Sequence, residues 1–457
     1  MADQTYDVIV IGAGPTGENV ADRAVRGGLT AVVVEAELVG GECSYWACMP
    51  SKALLRPADV VAEAGAVRGV AGARLNPAEV LARRDGFAHG WKDDGQVEWL
   101  TEAKIDLVRG HGRIAGMRLV TVGDLSLHAR QAVVIATGTR AVVLDSLAGV
   151  DPWTSREATS AHAVPGRLVI VGGGVVGCEM AAAWSALCAE VTLISHGRLL
   201  DRLPEFAGEF VAAGLREAGV DVRIGVDATG ATRAGKTVRV ELSDGSTIEA
   251  DEVLSAVGRS PHTGDIGLET IGLTPGSWLD VDDTMRVAGV DGGWLYAAGD
   301  VNHLALLTHM GKYQARVCGD AIAARARDRE PTVRDSSSKT CVPQVVFTIP
   351  EVAAVGLTAQ EAEAAGRRVR TVEYDIGHVA GAKLFADEYQ GHAQMVVDED
   401  RRTLLGMTLA GHGVGEIIHA ATIAVAGEVP LDRLWHAVPS YPTISEIWLR
   451  LLETYGL

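Results

Sequence analysis

The stretch "YDVIVIGAGPTGENVADRAVRGGLTAVVVEA", Tyr6 to Ala36, reads as strand, glycine turn, helix and strand. Apolar Val8 to Ile11 run into Gly12, Gly14 and Gly17, and "AVVVE" closes the unit at Glu35. Gly12 permits the turn, Gly14 lets a pyrophosphate approach the backbone, and Gly17 lets helix and strand pack closely. Phosphate then sits on the helix N-terminus, while an acid at the end of the second strand takes a ribose hydroxyl. Strand, helix and an acid 23 residues beyond Gly12 all agree, so the stretch predicts a dinucleotide-binding unit.

A second copy is "GRLVIVGGGVVGCEMAAAWSALCAEVTLIS", Gly166 to Ser195, with Gly172, Gly174 and Gly177 after the strand Leu168 to Val171. The same count of 23 from Gly172 lands on Ser195 instead of an acid, and His196, Arg198 and Arg202 follow. A carboxylate there would repel a 2'-phosphate, whereas a hydroxyl beside basic groups accepts one. The expectation is therefore NADPH over NADH, the other reading being a solvated basic turn. Two dinucleotide sites on one chain point to electron relay between two nucleotides.

The rest of the chain sets bounds. At 457 residues it exceeds one hydrophobic core and implies three or four units. Its 54 glycines fit many tight turns and close backbone approaches. A net charge of -18 argues against a nucleic-acid or anionic-membrane surface. The start, "MADQTYDVIVIGAG", lacks the pattern of a signal peptide, so a cytoplasmic location is expected; no uninterrupted apolar run is long enough to span a bilayer. Cys178, Cys188, Cys318 and Cys341 stand singly among apolar residues and read as buried small hydrophobes.

Further motifs resemble the FAD-dependent pyridine nucleotide-disulfide oxidoreductases, the family of lipoamide dehydrogenase, glutathione reductase and mercuric reductase. "GGECSYWACMPSK" is similar to that family's redox-active C-x4-C followed by P-S-K, here Cys43, Cys48, Pro50, Ser51 and Lys52. "VVIATGTR" around Gly138 and "VLSAVGRSPHT" around Gly258 look like the segments that close its two nucleotide domains. "WLYAAGD" resembles the second flavin motif, whose aspartate, here Asp300, bonds the ribityl chain of FAD; "LLTHMGKYQARV" resembles the helix after it. Beyond the polar linker "DREPTVRDSSSKT", the segment starting "VPQVVFTIPEV" matches the family's C-terminal interface domain, which implies a homodimer.

The resemblance implies an α/β fold: two Rossmann-like dinucleotide-binding domains plus an α+β C-terminal dimerisation domain. The expected divisions are 1–148 for FAD, 149–265 for NAD(P), 266–335 completing the FAD site, and 336–457 for the interface. It makes Cys48 the flavin-proximal thiol and Cys43 the interchange thiol, with Lys52 and Glu179 as an ion pair beside the flavin. Gly41, one of two glycines before Glu42, lets the chain approach that flavin.

Physical chemistry bears on the cysteines separately. A zinc site needs further ligands at suitable spacing, and His303 and His309 read as packing or surface residues. A staple across four residues removes little chain entropy. Redox chemistry remains. On a regular helix, positions five apart are roughly 7.5 Å apart along the axis, beyond the usual disulfide Cα range of about 4.4 to 6.8 Å, so the helix must be distorted. Pro50, which removes the bond to the Trp46 carbonyl, supplies a cause. Tyr45 and Trp46 are either core or part of an aromatic-lined site.

The family's C-terminal His-Pro-Thr-x-Ser-Glu segment, in which a histidine held by glutamate moves protons for the interchange thiol, appears as "VPSYPTISEIW". Tyr441 stands in the histidine position and Glu446 remains. A phenol titrates near pH 10, about, and imidazole near about 6.5, so Tyr441 is a poor proton shuttle at neutral pH. The expected function is electron transfer from NADPH through FAD to a Cys43-Cys48 disulfide. The acceptor is left open among a disulfide, a quinone, another small organic acceptor or a metal ion. The alternatives are an NAD-using dihydrolipoamide dehydrogenase and a low-turnover flavoprotein subunit of a complex.

Overall fold

Strand β1 (Ala2–Ile11) turns Val8 and Val10 to one face and Ile9 and Ile11 to the other, and all four are buried. A strand apolar on both sides belongs inside a parallel sheet that is covered on both faces. The computed structural model, which describes residues 2–457, places it there. The strand order is Asp106–Arg109, β2 (Ala31–Glu35), β1, Leu125–Ile135, Leu119–Val122 and Gly112–Gly116. Pairing is parallel through Leu125–Ile135, which also takes Leu295–Ala297 in parallel, and antiparallel beyond it.

Helix α1 (Pro15–Arg26) and the helix Thr308–Arg325 cover one face, with Val20, Ala315, Cys318 and Ile322 packed on Val8 and Val10. The other face, Ile9 and Ile11, is closed by Ile114, Leu127, Leu268 and Trp294. These elements lie in a unit formed by Met1–Met49, Asp85–Ala141 and Arg259–Lys339.

The second unit comprises Pro50–Arg84, Val142–Gly258 and Thr340–Leu457. It contains a four-stranded parallel sheet, ordered Asp221–Ile224, Glu190–Ser195, Arg167–Val171 and Glu252–Ser255. The helix Val175–Ala186 leaves that sheet at the second glycine turn. A three-stranded antiparallel sheet spans Ala228–Ala250. A five-stranded antiparallel sheet runs Gln344–Val346, Glu351–Gly356, Thr403–Gly411, His392–Asp398 and Val369–Asp375. The helices Val414–Ala426 and Ile447–Tyr455 close that sheet's core through Ile418, Ala421, Ile447 and Leu451. This is the α/β architecture the sequence implied, with an α+β C-terminal part.

Cys178, Cys318 and Cys341 are buried as expected, but Cys188 is exposed. It follows the end of Val175–Ala186 with φ +73, a left-handed turn that carries its side chain off the helix's buried face.

Candidate active site

At the first glycine turn, Gly12 has φ +100, and a Cβ there would run into the Ala136 carbonyl. Gly14 caps α1 without a side-chain hydrogen bond, so the helix's first N–H groups remain available for an anion. At Gly17 a Cβ would strike the Gly12 carbonyl, the close helix–strand approach its position predicted. Glu35 ends β2 with Oε2 accepting from Ala13 N–H at 2.7 Å and Oε1 from Glu37 N–H at 2.8 Å, which fixes the carboxylate over the turn. Asp300 accepts from Thr139 Oγ1 at 2.9 Å, and Arg259 Nε donates to the same hydroxyl at 2.6 Å. Burial holds the Asp300 carboxyl above its usual range against the Thr139 bond and the Arg259 charge. Gly138, at φ +70, turns the chain between Leu125–Ile135 and Thr139. The uncapped helix offers N–H donors and the two carboxylates offer acceptors, a set that could hold a dinucleotide.

The cysteines do not share one distorted helix. Cys43 lies in α2 (Gly41–Tyr45) and Cys48 begins α3 (Cys48–Gly65), and the chain breaks between them at Trp46, whose φ is -137°. Trp46 N–H closes α2 on the Glu42 carbonyl at 2.8 Å. Pro50 falls in the first turn of α3, where its missing N–H costs nothing. The break brings the two thiols together: Cys43 hydrogen-bonds with Cys48, and Cys48 Sγ lies 3.2 Å from Thr308 Oγ1. The bond with Cys48, and then burial, pushes the Cys43 thiol far above its usual range, while Thr308 and Lys312 pull it down. Gly41 brings α2 onto the glycine turn: a Cβ there would stand 2.9 Å from Gly14 Cα. Tyr45 is core, fully buried with its hydroxyl on the Val39 carbonyl at 3.0 Å.

In the second unit, Lys52 Nζ donates to Glu179 Oε2 at 2.6 Å. Glu179 is buried on the first turns of Val175–Ala186, and its Oε1 accepts from Phe347 N–H at 3.1 Å. The Lys52 ammonium sits 4.9 Å from the Phe347 ring centroid.

The second glycine turn repeats the first: Gly172 has φ +121, Gly174 caps the helix without a side-chain bond, and a Cβ at Gly177 would strike the Gly172 carbonyl. Ser195 is buried at the end of its strand, where only a glycine at 173 leaves room for its hydroxyl. His196 and Arg198 are engaged locally. His196 Nδ1 is 3.0 Å from Asp227 Oδ1, and Arg198 Nη2 donates to the carbonyls of Asp201 and Leu203 at 2.6 and 2.7 Å. Gly258, at φ +138, accepts from Val142 N–H.

The family description "Pyridine nucleotide-disulphide oxidoreductase" matches residues 6–323, and that family's dimerisation domain matches residues 342–451. The chain belongs to the pyridine nucleotide-disulphide oxidoreductases. A dihydrolipoyl dehydrogenase of Thermus scotoductus is 34% identical, covering 97% of this chain and 96% of the relative. That of Haloferax volcanii is 32% identical, covering 98% and 95%. The Cu(II) complex of the HOCl-induced flavoprotein disulfide reductase RclA from Escherichia coli superposes with a TM-score of 0.84 at 22% identity, over 98% of this chain and 99% of that one. The last likeness is one of fold. The protein is thus a flavoprotein oxidoreductase of this family, and no helix among the described residues is long and apolar enough to cross a membrane.

Other features of this disulphide oxidoreductase escaped the sequence reading. Tyr441 is 76% exposed, and Glu446 is buried but accepts from Arg450 Nη2 at 2.7 Å, leaving Oε2 without a partner. Helix α3 also carries Asp59 and Glu63, whose oxygens lie 2.9 and 3.5 Å from His412 Nε2. Arg56 Nη1 bonds both carboxylates, so this is an ion-pair clasp already supplied with cations. Its hydrogen bond to Asp59 raises the His412 pKa against burial. Burial opposes ionisation of Asp59, but the bonds from His412 and Arg56 prevail and lower its pKa. Their i,i+4 spacing on α3 was visible in the sequence; a partner 349 residues away was not.

Proposed function

We propose that this flavoprotein oxidises NADPH and delivers the electron pair through Cys43 and Cys48 to a small acceptor, as a homodimer built on its C-terminal domain. The observation that carries the reading is the meeting of two thiols from separate helices against the Thr308 hydroxyl. FAD, when bound, supplies two-electron exchange between a nicotinamide and a dithiol.

The chain's own residues have these parts. The α1 N-terminus holds pyrophosphate, Glu35 takes a ribose hydroxyl and Asp300 a ribityl hydroxyl. Gly172, Gly174 and Gly177 admit the nicotinamide dinucleotide. Glu179 fixes the Lys52 side chain, so that its ammonium can balance negative charge developing nearby. Cys48 is the inner thiol, positioned by Thr308, and Cys43 is the outer thiol that meets the acceptor. Ser195 in place of an acid favours NADPH, although Asp227 beside His196 offsets part of the basic charge.

Counting alkylatable thiols in the holoenzyme before and after anaerobic NADPH tests the relay. Two newly reactive thiols at Cys43 and Cys48 are expected; none, or a Cys43→Ser variant with unchanged acceptor turnover, would defeat it. Michaelis constants for both nicotinamides test the other half, and a clear NADH preference would reverse it.

A second reading, dihydrolipoyl dehydrogenase working with NAD, is favoured by the relatives at 32 to 34% identity. Against it stands tyrosine at position 441 and the tie of Glu446 to Arg450. High dihydrolipoamide turnover with NAD would establish it.

A further inference from the structure

Breaking a disulfide with an electron pair leaves negative charge on sulfur. In balanced form, NADPH gives NADP+, a proton and two electrons, and S–S plus two electrons and that proton gives one thiolate and one thiol. A thiolate persists only where a cation or an oriented dipole meets it. At Cys43 the surroundings oppose it, through the bond with Cys48 and through burial. The short helix α2, five residues long, supplies too small a dipole to answer this.

Helix Thr308–Arg325 brings the missing charge. Thr308 opens it and touches Cys48, and Lys312 stands four residues on, on the same face and roughly 6 Å further along. The helix cannot shift sideways, because Gly311 and Gly319 press so closely on Thr16 and Arg23 of α1 that neither has room for a Cβ. Lys312 is exposed, so its ammonium stays hydrated. The bond with Cys48 and burial raise the Cys43 thiol, and the charge on Lys312 acts against them. The other charge beside the cysteine, Glu42, faces Arg259 at 3.5 Å.

One carboxylate could cancel Lys312. Glu18, on the first turns of α1, lies in the same field but is 7% exposed, with Oε1 lacking any hydrogen-bond partner. Burial pushes its pKa up to about 7; Lys312 opposes the rise and Glu35 adds to it. Below neutrality Glu18 is therefore largely uncharged, and the ammonium is left to the thiolate.

We propose that Lys312 is the charge partner of the Cys43 thiolate, favouring it electrostatically in a protein that carries a tyrosine at residue 441. This rests on the reading of Cys43 as the outer thiol. The test is the rate of iodoacetamide alkylation at Cys43 in the reduced holoenzyme, followed by peptide mass spectrometry from pH 5 to 10. Lys312→Met should move the profile to higher pH and slow alkylation at pH 7 by about tenfold, a shift of about one unit. Lys312→Arg should restore it. A Lys312→Met profile that overlays wild type would overturn the proposal, and so would equal shifts in the Met and Arg variants, which would mark a steric effect. Failure of the relay itself would appear instead as no thiols released by NADPH, with the alkylation comparison, made after chemical reduction, still intact.

Discussion

Lys52 and Glu179, 127 residues apart in the sequence, meet at 2.6 Å, and the carboxylate's second oxygen holds the backbone of Phe347. One buried acid thereby ties together α3, the helix Val175–Ala186 and the first strand region of the C-terminal sheet within its unit.

Removing either partner should be costly in different ways. Lys52→Met strands a buried carboxylate, and with Lys52 35% exposed the loss should be about 2 kcal/mol, less than for a fully buried pair. Glu179→Gln keeps an acceptor for Phe347 N–H and should unfold later than Glu179→Ala. Chemical unfolding of the FAD-loaded proteins checks the order; identical midpoints for Gln and Ala would show that the Phe347 bond contributes nothing.

Restoring a histidine at position 441 should not by itself restore the proton shuttle. Glu446, which would have to orient that ring, is already bound to Arg450. Tyr441→His alone should change kcat/KM with dihydrolipoamide by less than about threefold. Tyr441→His with Arg450→Ala should gain about tenfold or more, toward the roughly 100-fold a positioned general base supplies. A full gain from the single substitution would refute the sequestration of Glu446.

The His412 clasp should stabilise the fold in a bounded pH range. His412 has a raised pKa, so its contribution is complete below the ordinary imidazole value of about 6.5 and is lost as pH rises through the folded value. Asp59 has a lowered pKa, so its contribution is complete above about 3.9 and is lost as pH falls through its folded value. His412→Gln should therefore cost about 1–2 kcal/mol at pH 6 and distinctly less at pH 9. Equal losses at both pH values, measured by urea unfolding, would contradict this.

Glu18 should act in the opposite sense. Its folded pKa is raised to about 7, so ionisation in the folded state is penalised and stability falls as pH rises from the ordinary carboxyl range through 7. Glu18→Gln should stabilise the holoenzyme by about 2 kcal/mol at pH 8 and by almost nothing at pH 4. The same variant should speed Cys43 alkylation at pH 8, because no carboxylate then opposes Lys312. A uniform change across pH would mean the glutamate acts through packing alone.

The fold was readable because its punctuation is local. Gly12, Gly17, Gly172 and Gly177 sit where backbone crowding forbids a side chain, and that requirement leaves a fixed spacing in the chain. Lys52 and Glu179 were legible only through resemblance, since neither carries a local sign of the other. Residues whose importance comes from burial were invisible: Glu18 follows Gly17 directly and reads as one more helix-start acid until its orphaned oxygen is seen. Lys312 reads as a surface lysine until Thr308, one turn earlier, is found on Cys48. The proline argument named the right region and the wrong geometry, because it assumed a helix continuing through Trp46 where the chain makes two. Arg450 was missed for a similar reason: motif comparison keeps track of Glu446 but not of which neighbour it serves.

The contact between Gly14 and Gly41 joins two tasks that are separate on paper. A single methyl group at residue 41 would wedge the dinucleotide turn away from the cysteine loop. Retention of the yellow cofactor and reactivity of the thiols would then decline in step, as one trait under one steric control.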